Sequence, residues 1–350
     1  MILTSLAITP EEFAERTGWV IKAEGACKSE RCVPLPTMPA SRLDARVLAE
    51  RLGMPLIHDD KQGLWCLGPE AGGRALSSAL APEVVLPDWH GHEFRLDVLR
   101  GRKVLLLAWA SWCGCRHDLP VWQALRREWH PHGLEIVTVA LDTAGLAAAR
   151  PWLARAHPEH PALIDQAHRM DEWFGIVNVP SGLWIDEDGT LVRPPETAYP
   201  RRPAFLDREV PADATARQAA LINAVKGLRI DAEQYVAAVR DWVAHGKQSR
   251  FVLSPEQVVA RSRPRPVAEA TAAAHFELAQ HLHRGGQREA AIGHFREAYR
   301  LQPENWTYKR QAWSLLPTEQ SPLEVYGGDW LSDVRKIGPE NYYPALEMPT

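Results

Sequence analysis

The sequence predicts an α/β protein: a central sheet with flanking helices, a small α/β module before it and an α-helical repeat after it. Three observations carry this. Residues 104–108, Val-Leu-Leu-Leu-Ala, form an unbroken apolar run that reads as a strand buried on both faces, and beyond Ser111, Trp112 and Gly114 the spacing turns helical over 115–127. Leu-Glu-Ile-Val-Thr-Val-Ala-Leu at 134–141 is a second such strand, followed by a helix over 143–156 that Pro151 interrupts early. From Glu269 onward, small and apolar residues recur at the spacing of two antiparallel helices.

Length and composition bound the functional class. At 350 residues the chain exceeds one ordinary domain, and its segments read as 1–80, 81–250, 266–316 and a tail at 317–350. Hydrophobic residues at 45% and charged residues at 24% are those of a soluble globular protein. A net charge of −4, without a basic stripe, argues against nucleic-acid binding, and the longest apolar runs are too short to span a bilayer. The amino terminus has no basic residue ahead of its apolar stretch, and Glu11 and Glu12 follow soon after. It makes a poor signal peptide, so a reducing cytoplasm is the expected compartment. Five cysteines, an odd number, speak against a static disulfide framework.

The elements follow in order. Thr9 or Thr4 caps a helix over 10–17, and 41–52 is a second helix with Leu43, Val47, Leu48 and Leu52 on one face. Cys27 and Cys32 share a loop and read as a second redox pair, half of a metal site, or two partly buried loop thiols. No histidine or further cysteine pair stands at zinc spacing, so no metal is expected. Cys66 lies in a short apolar run and reads as an inert core thiol. Residues 82–96 form a hairpin turned at Gly91, with His90 and His92 as surface residues. An extended segment at 162–165 leads to Val-Pro at 179–180 and a closing hairpin turned by Asp188-Gly189. A Pro- and Arg-rich loop then marks an excursion from the fold. Helices follow over 216–226 and over 231–244, the second with Asp231 as N-cap and Tyr235, Val236, Val239 and Trp242 as its apolar stripe. Residues 261–266, Arg-Ser-Arg-Pro-Arg-Pro, read as a linker.

Two cysteines, Cys113 and Cys115, sit where the central strand ends and a helix begins. Unpaired N–H groups and the positive end of the helix dipole favour a thiolate there, and Arg116 and His117 add positive charge. The stretch resembles the active-site segment of thioredoxin-fold proteins of the TlpA/ResA-like branch, whose pattern runs Trp-Ala-x-Trp-Cys-x-x-Cys. Trp109, Ala110, Trp112 and Cys113 match it, and Pro120 falls where the family carries its helix proline. Phe174 to Gly189 is similar to the family's Phe-x-Val-x-x-x-Pro-Thr-x-x-x-Ile-Asp-x-x-Gly, which implies a cis bond at Pro180 facing the cysteines and a Val179 backbone turned outward to pair with an extended substrate. Two departures stand out: Cys-Gly-Cys is one residue short of Cys-x-x-Cys, and Leu107 occupies the place of the family's buried acid. The peroxidatic loop of peroxiredoxins is absent, with Leu106 and Ala110 at its positions.

The resemblance covers about a third of the chain and implies a thiol–disulfide oxidoreductase without cofactor. Cys113 attacks and Cys115 resolves, Trp112, Gly114, Val179 and Pro180 position the substrate, and Arg116 and His117 tune the thiol. The short loop predicts a strained, more oxidising couple, which Gly114 best accommodates. The expected partners are a disulfide-bearing protein or small thiol and a thiol electron donor. The competing reading is an adaptor or soft-metal sensor that recruits a partner through its helices. Leu278, Ala279, Gly286, Ala291, Phe295, Ala298 and Pro303 fall at tetratricopeptide spacing; a single repeat must dock on something, the central domain or a partner. The aromatic tail, with Asn-Tyr-Tyr-Pro at 341–344, is expected to pack across the surface, and Trp112 to be exposed.

Overall fold

The computed structural model describes residues 1–28, 31–36 and 42–348. The chain forms two compact units, each built from separate stretches of sequence. One joins Met1–Ala75 to Arg263–Lys309; the other joins Leu76–Ser262 to the segment from Arg310 onward. The sequence reads as four successive segments. The fold groups the first with most of the third, because the residue 264–265 strand pairs with 73–74 instead of running as a free linker.

In the first unit, Ile2–Leu3, Leu64–Leu67 and Leu56–Asp59 form an antiparallel sheet. The helix Pro10–Thr17 begins with a reciprocal cap between Thr9 and Glu12. The next helix is Ala45–Leu52, preceded by a short strand at Leu43–Asp44; Ser41, where the sequence starts it, lies outside the described residues. Cys27 and Cys32 face each other in register on neighbouring strands and are joined in a disulfide. The helices Val267–Arg284 and Arg288–Leu301 form an antiparallel pair that buries Leu278, Ala279, Ala291, Phe295 and Ala298. Gly68 lets the first of them approach: a Cβ there would lie 2.8 Å from the Ala270 carbonyl oxygen. Cys66 is fully buried, and burial pushes its thiol up to about 12.

The second unit holds a five-stranded mixed sheet. Its strands are β1 (Lys103–Trp109), β2 (Leu134–Leu141), β3 (Ala162–Asp165), β4 (Ser181–Ile185) and β5 (Leu191–Thr197). They lie in the order β3-β2-β1-β4-β5, with β1, β2 and β3 parallel and β4 and β5 antiparallel to their neighbours. Side chains alternate between faces. Leu106, Ala108, Val137, Val139 and Leu183 enter one core with Leu119, Ala149, Leu153, Met170 and Phe174. Leu105, Leu107, Ile136 and Trp184 enter the other, where the helix Ala232–His245 packs through Tyr235, Val239 and Trp242. Asp231 precedes that helix but makes no side-chain cap bond. Leu107, in place of a buried acid, is an ordinary member of this second core.

Candidate active site

Strand β1 delivers the two cysteines. After Ser111 and Trp112 the chain makes a 3-10 turn, Gly114–Asp118, and only then the α-helix Leu119–Trp129. Pro120 therefore sits in the first turn of the helix, where a missing N–H costs nothing, and does not kink an interior. The turn is held by a bond from the Cys115 N–H to Cys113 Sγ at 3.3 Å. Behind it, Asp142 at the end of β2 accepts from the Ser111 N–H at 2.9 Å and hydroxyl at 2.7 Å, and burial raises its carboxyl to about 6. Asp118, the last residue of the turn, is likewise raised to about 6 by burial, which Arg201 only partly offsets.

The Val179–Pro180 bond is cis, as the resemblance implies, and Cys113 Sγ donates to the Val179 carbonyl oxygen at 3.5 Å. The outward-facing Val179 backbone is not found. Val179 is fully buried, its N–H is taken by Asn178 Oδ1 at 2.9 Å, and its carbonyl also accepts from the Tyr343 hydroxyl at 3.3 Å. Tyr343 is held in turn by Tyr199, hydroxyl to hydroxyl at 2.9 Å. The aromatic tail thus does not merely lie across the surface: Tyr342 and Tyr343 are buried beside the cysteines.

Arg310 comes from the same segment. Its guanidinium donates to the Trp112 carbonyl at 2.9 Å and to the Tyr342 hydroxyl at 3.2 Å, and stands over the Trp112 ring at 5.0 Å. The Trp112 indole N–H donates to Gln311 Oε1 at 3.2 Å, so Trp112 is half-buried and not the exposed residue expected. Burial alone would raise the Cys113 thiol. The hydrogen bond with Cys115 and the positive charge of Arg310 outweigh it and lower the thiol to about 7. Cys115 goes the other way, well above the ordinary thiol range, through burial and the adjacent Cys113. The two are 1% and 3% exposed.

The cation that leads this tuning is Arg310, in place of Arg116 and His117. Arg116 turns back to the Cys113 carbonyl at 3.0 Å and onto the Trp152 ring at 4.5 Å. His117 is exposed, packs edge-on against Trp152, and is itself held below its ordinary range by partial burial and Arg116. Arg310, Gln311 and Tyr199 carry no signal in the sequence, since a basic residue on a helix far along the chain reads as a solvated one. The aromatic cluster at 341–344, which holds Tyr343, is the signal that the sequence does carry. Cys27 and Cys32 belong to the other unit. Among the described residues, no group of three or more His, Cys, Asp or Glu side chains is placed to hold a metal ion, and no helix is long and apolar enough to cross a membrane.

The sheet order and the cis proline against the first cysteine define a thioredoxin-like domain. A model of the AhpC/TSA family matches residues 78–193. Curated relatives are the thiol-disulfide oxidoreductases ResA of Bacillus thuringiensis subsp. konkukian, 25% identical over 114 residues, and of Geobacillus kaustophilus, 30% identical over 112. Each match covers 32% of this chain and, respectively, 65% and 64% of the relative, so the chain spans just under two thirds of their length. Among solved structures, a thiol:disulfide interchange protein assigned as DsbE from Chlorobium tepidum is 29% identical, with a TM-score of 0.31, covering 33% of this chain and 80% of its own.

Proposed function

We propose that the protein is a thiol–disulfide oxidoreductase working through Cys113 and Cys115. The observation that supports this best is the asymmetry of the pair: one thiol lowered to about 7 beside a cation, its neighbour on the same turn held protonated. The Cys113 thiolate attacks a substrate sulfur, the substrate S–S bond breaks, and the departing thiolate takes the electron pair. Cys115 then attacks Cys113 Sγ, sheds its proton to the second leaving thiolate, and closes the Cys113–Cys115 disulfide. A thiol donor returns the pair to the dithiol. For Cys27–Cys32, a disulfide fits an oxidising compartment better than the reducing cytoplasm expected from the amino terminus. The test is trapping: Cys115→Ser should accumulate a mixed disulfide with 2-hydroxyethyl disulfide at Cys113, seen by mass spectrometry, whereas Cys113→Ser should form none. A mixed disulfide in Cys113→Ser and none in Cys115→Ser would reverse the roles.

A further inference from the structure

A cavity of about 370 Å³ opens directly onto Cys113 and Gly114. Its walls are apolar and come from outside the five-stranded sheet: Phe205, then Leu221, Ile222 and Val225 from the helix Ala216–Lys226, then Trp330 and the Tyr342–Tyr343 pair. The Phe205 ring stands over Gly114, 3.5 Å from where a Cβ would be, and Leu221 remains 42% exposed at the cavity's edge. Among the described residues, the charged side chains in the lining are Arg208, exposed, and Arg310, beside the thiol. Meanwhile both polar backbone groups of Val179 are engaged, one by Asn178 and the other by Tyr343, so a peptide strand has no place to pair there.

We propose that this cavity is the substrate site, and that it takes a small organic disulfide with an apolar body and a carboxylate, not a protein strand. This rests on the exchange reading above and names its substrate class. The apolar walls desolvate the hydrocarbon part, Arg208 at the exposed edge meets the anion, and the disulfide is left against Cys113 Sγ, where Arg310 stands. Attack there forms the Cys113 mixed disulfide and expels the substrate's other sulfur as a thiolate; Cys115 completes the two-electron reduction of the substrate as its own pair is oxidised.

The test uses the reduced full-length protein with two probes: octanoate, an apolar carboxylate with no sulfur, and lipoate, the same kind of chain ending in a disulfide. Octanoate at about ten times its dissociation constant should slow iodoacetamide alkylation of Cys113 by about tenfold, and octylamine should protect less. Val225→Trp, which fills the cavity, and Arg208→Glu, at its exposed edge where folding is not at stake, should both weaken the protection. Both should also lower the ratio of lipoate to 2-hydroxyethyl disulfide rate constants by about tenfold. Absence of protection in the wild type, a ratio unmoved by either variant, or insulin reduced faster than lipoate overturns the proposal. Protection by octanoate without exchange with any disulfide overturns the substrate class through the exchange reading itself, and leaves the cavity as a site for apolar anions.

Discussion

At Cys113, a hydrogen bond from Cys115 and one guanidinium together set the protonation state. The thiol is buried, which by itself favours the neutral form, yet Arg310 and the Cys115 hydrogen bond bring it to about 7. Arg310→Met should therefore raise its pKa, because it removes a charge that stabilises only the thiolate. A rise of one unit takes the ionised fraction at pH 7 from about one half to about a tenth, so alkylation at pH 7 slows by about fivefold and recovers at higher pH. Arg310→Lys should restore part of the shift. The check is the pH profile of iodoacetamide labelling; an unchanged profile in Arg310→Met would assign the tuning to the turn alone. The same profile orders the thiols. Cys113 labels first, ahead of Cys115 and of Cys66, both of which burial holds protonated.

Among the elements, the helix Ala232–His245 holds the sheet face behind the site. Trp242 stacks on Trp184 with ring centroids 4.9 Å apart, and the Trp184 indole donates to the Tyr235 hydroxyl at 3.1 Å. Trp242→Ala should cost about 3–5 kcal/mol by emptying this buried stack, and Tyr235→Phe about 1–3 by stranding the indole N–H. Denaturant unfolding of each variant measures both, and a loss below about 1 kcal/mol for Trp242 would show that the sheet face does not depend on it. These elements were legible in the sequence. The strand 134–141 and the helix 216–226 stand at the residues their patterns predict, because burial on both faces and a clean cap leave strong signals. The helix expected from 143 starts instead at Leu146, since Gly145 takes a positive φ of 61° and completes a turn begun at Asp142. The helix expected from 115 is split, since Cys113 caps a 3-10 turn through its sulfur. No periodicity encodes a sulfur cap.

For the whole molecule, what escaped the sequence is long-range closure. Cys113 was visible as a nucleophile, and Pro180 as its neighbour, from patterns a few residues long. Arg310 and Tyr343 lie roughly two hundred residues further on, in a helix and a tail that carry no motif, and only the folded chain brings them to Trp112 and Val179. Each compact unit is likewise assembled from two stretches separated by the other's sequence, an arrangement that composition and local spacing do not record.

That closure sets an order in time. A ribosome adds about 5–20 residues per second, so the sheet, the cysteines and the helix Ala232–His245 emerge seconds before Arg310 and Tyr343 do. Until then Cys113 has the Cys115 hydrogen bond but not the guanidinium, and burial is less fully opposed. The Cys113 thiolate gains its cation only after residue 310 has been made.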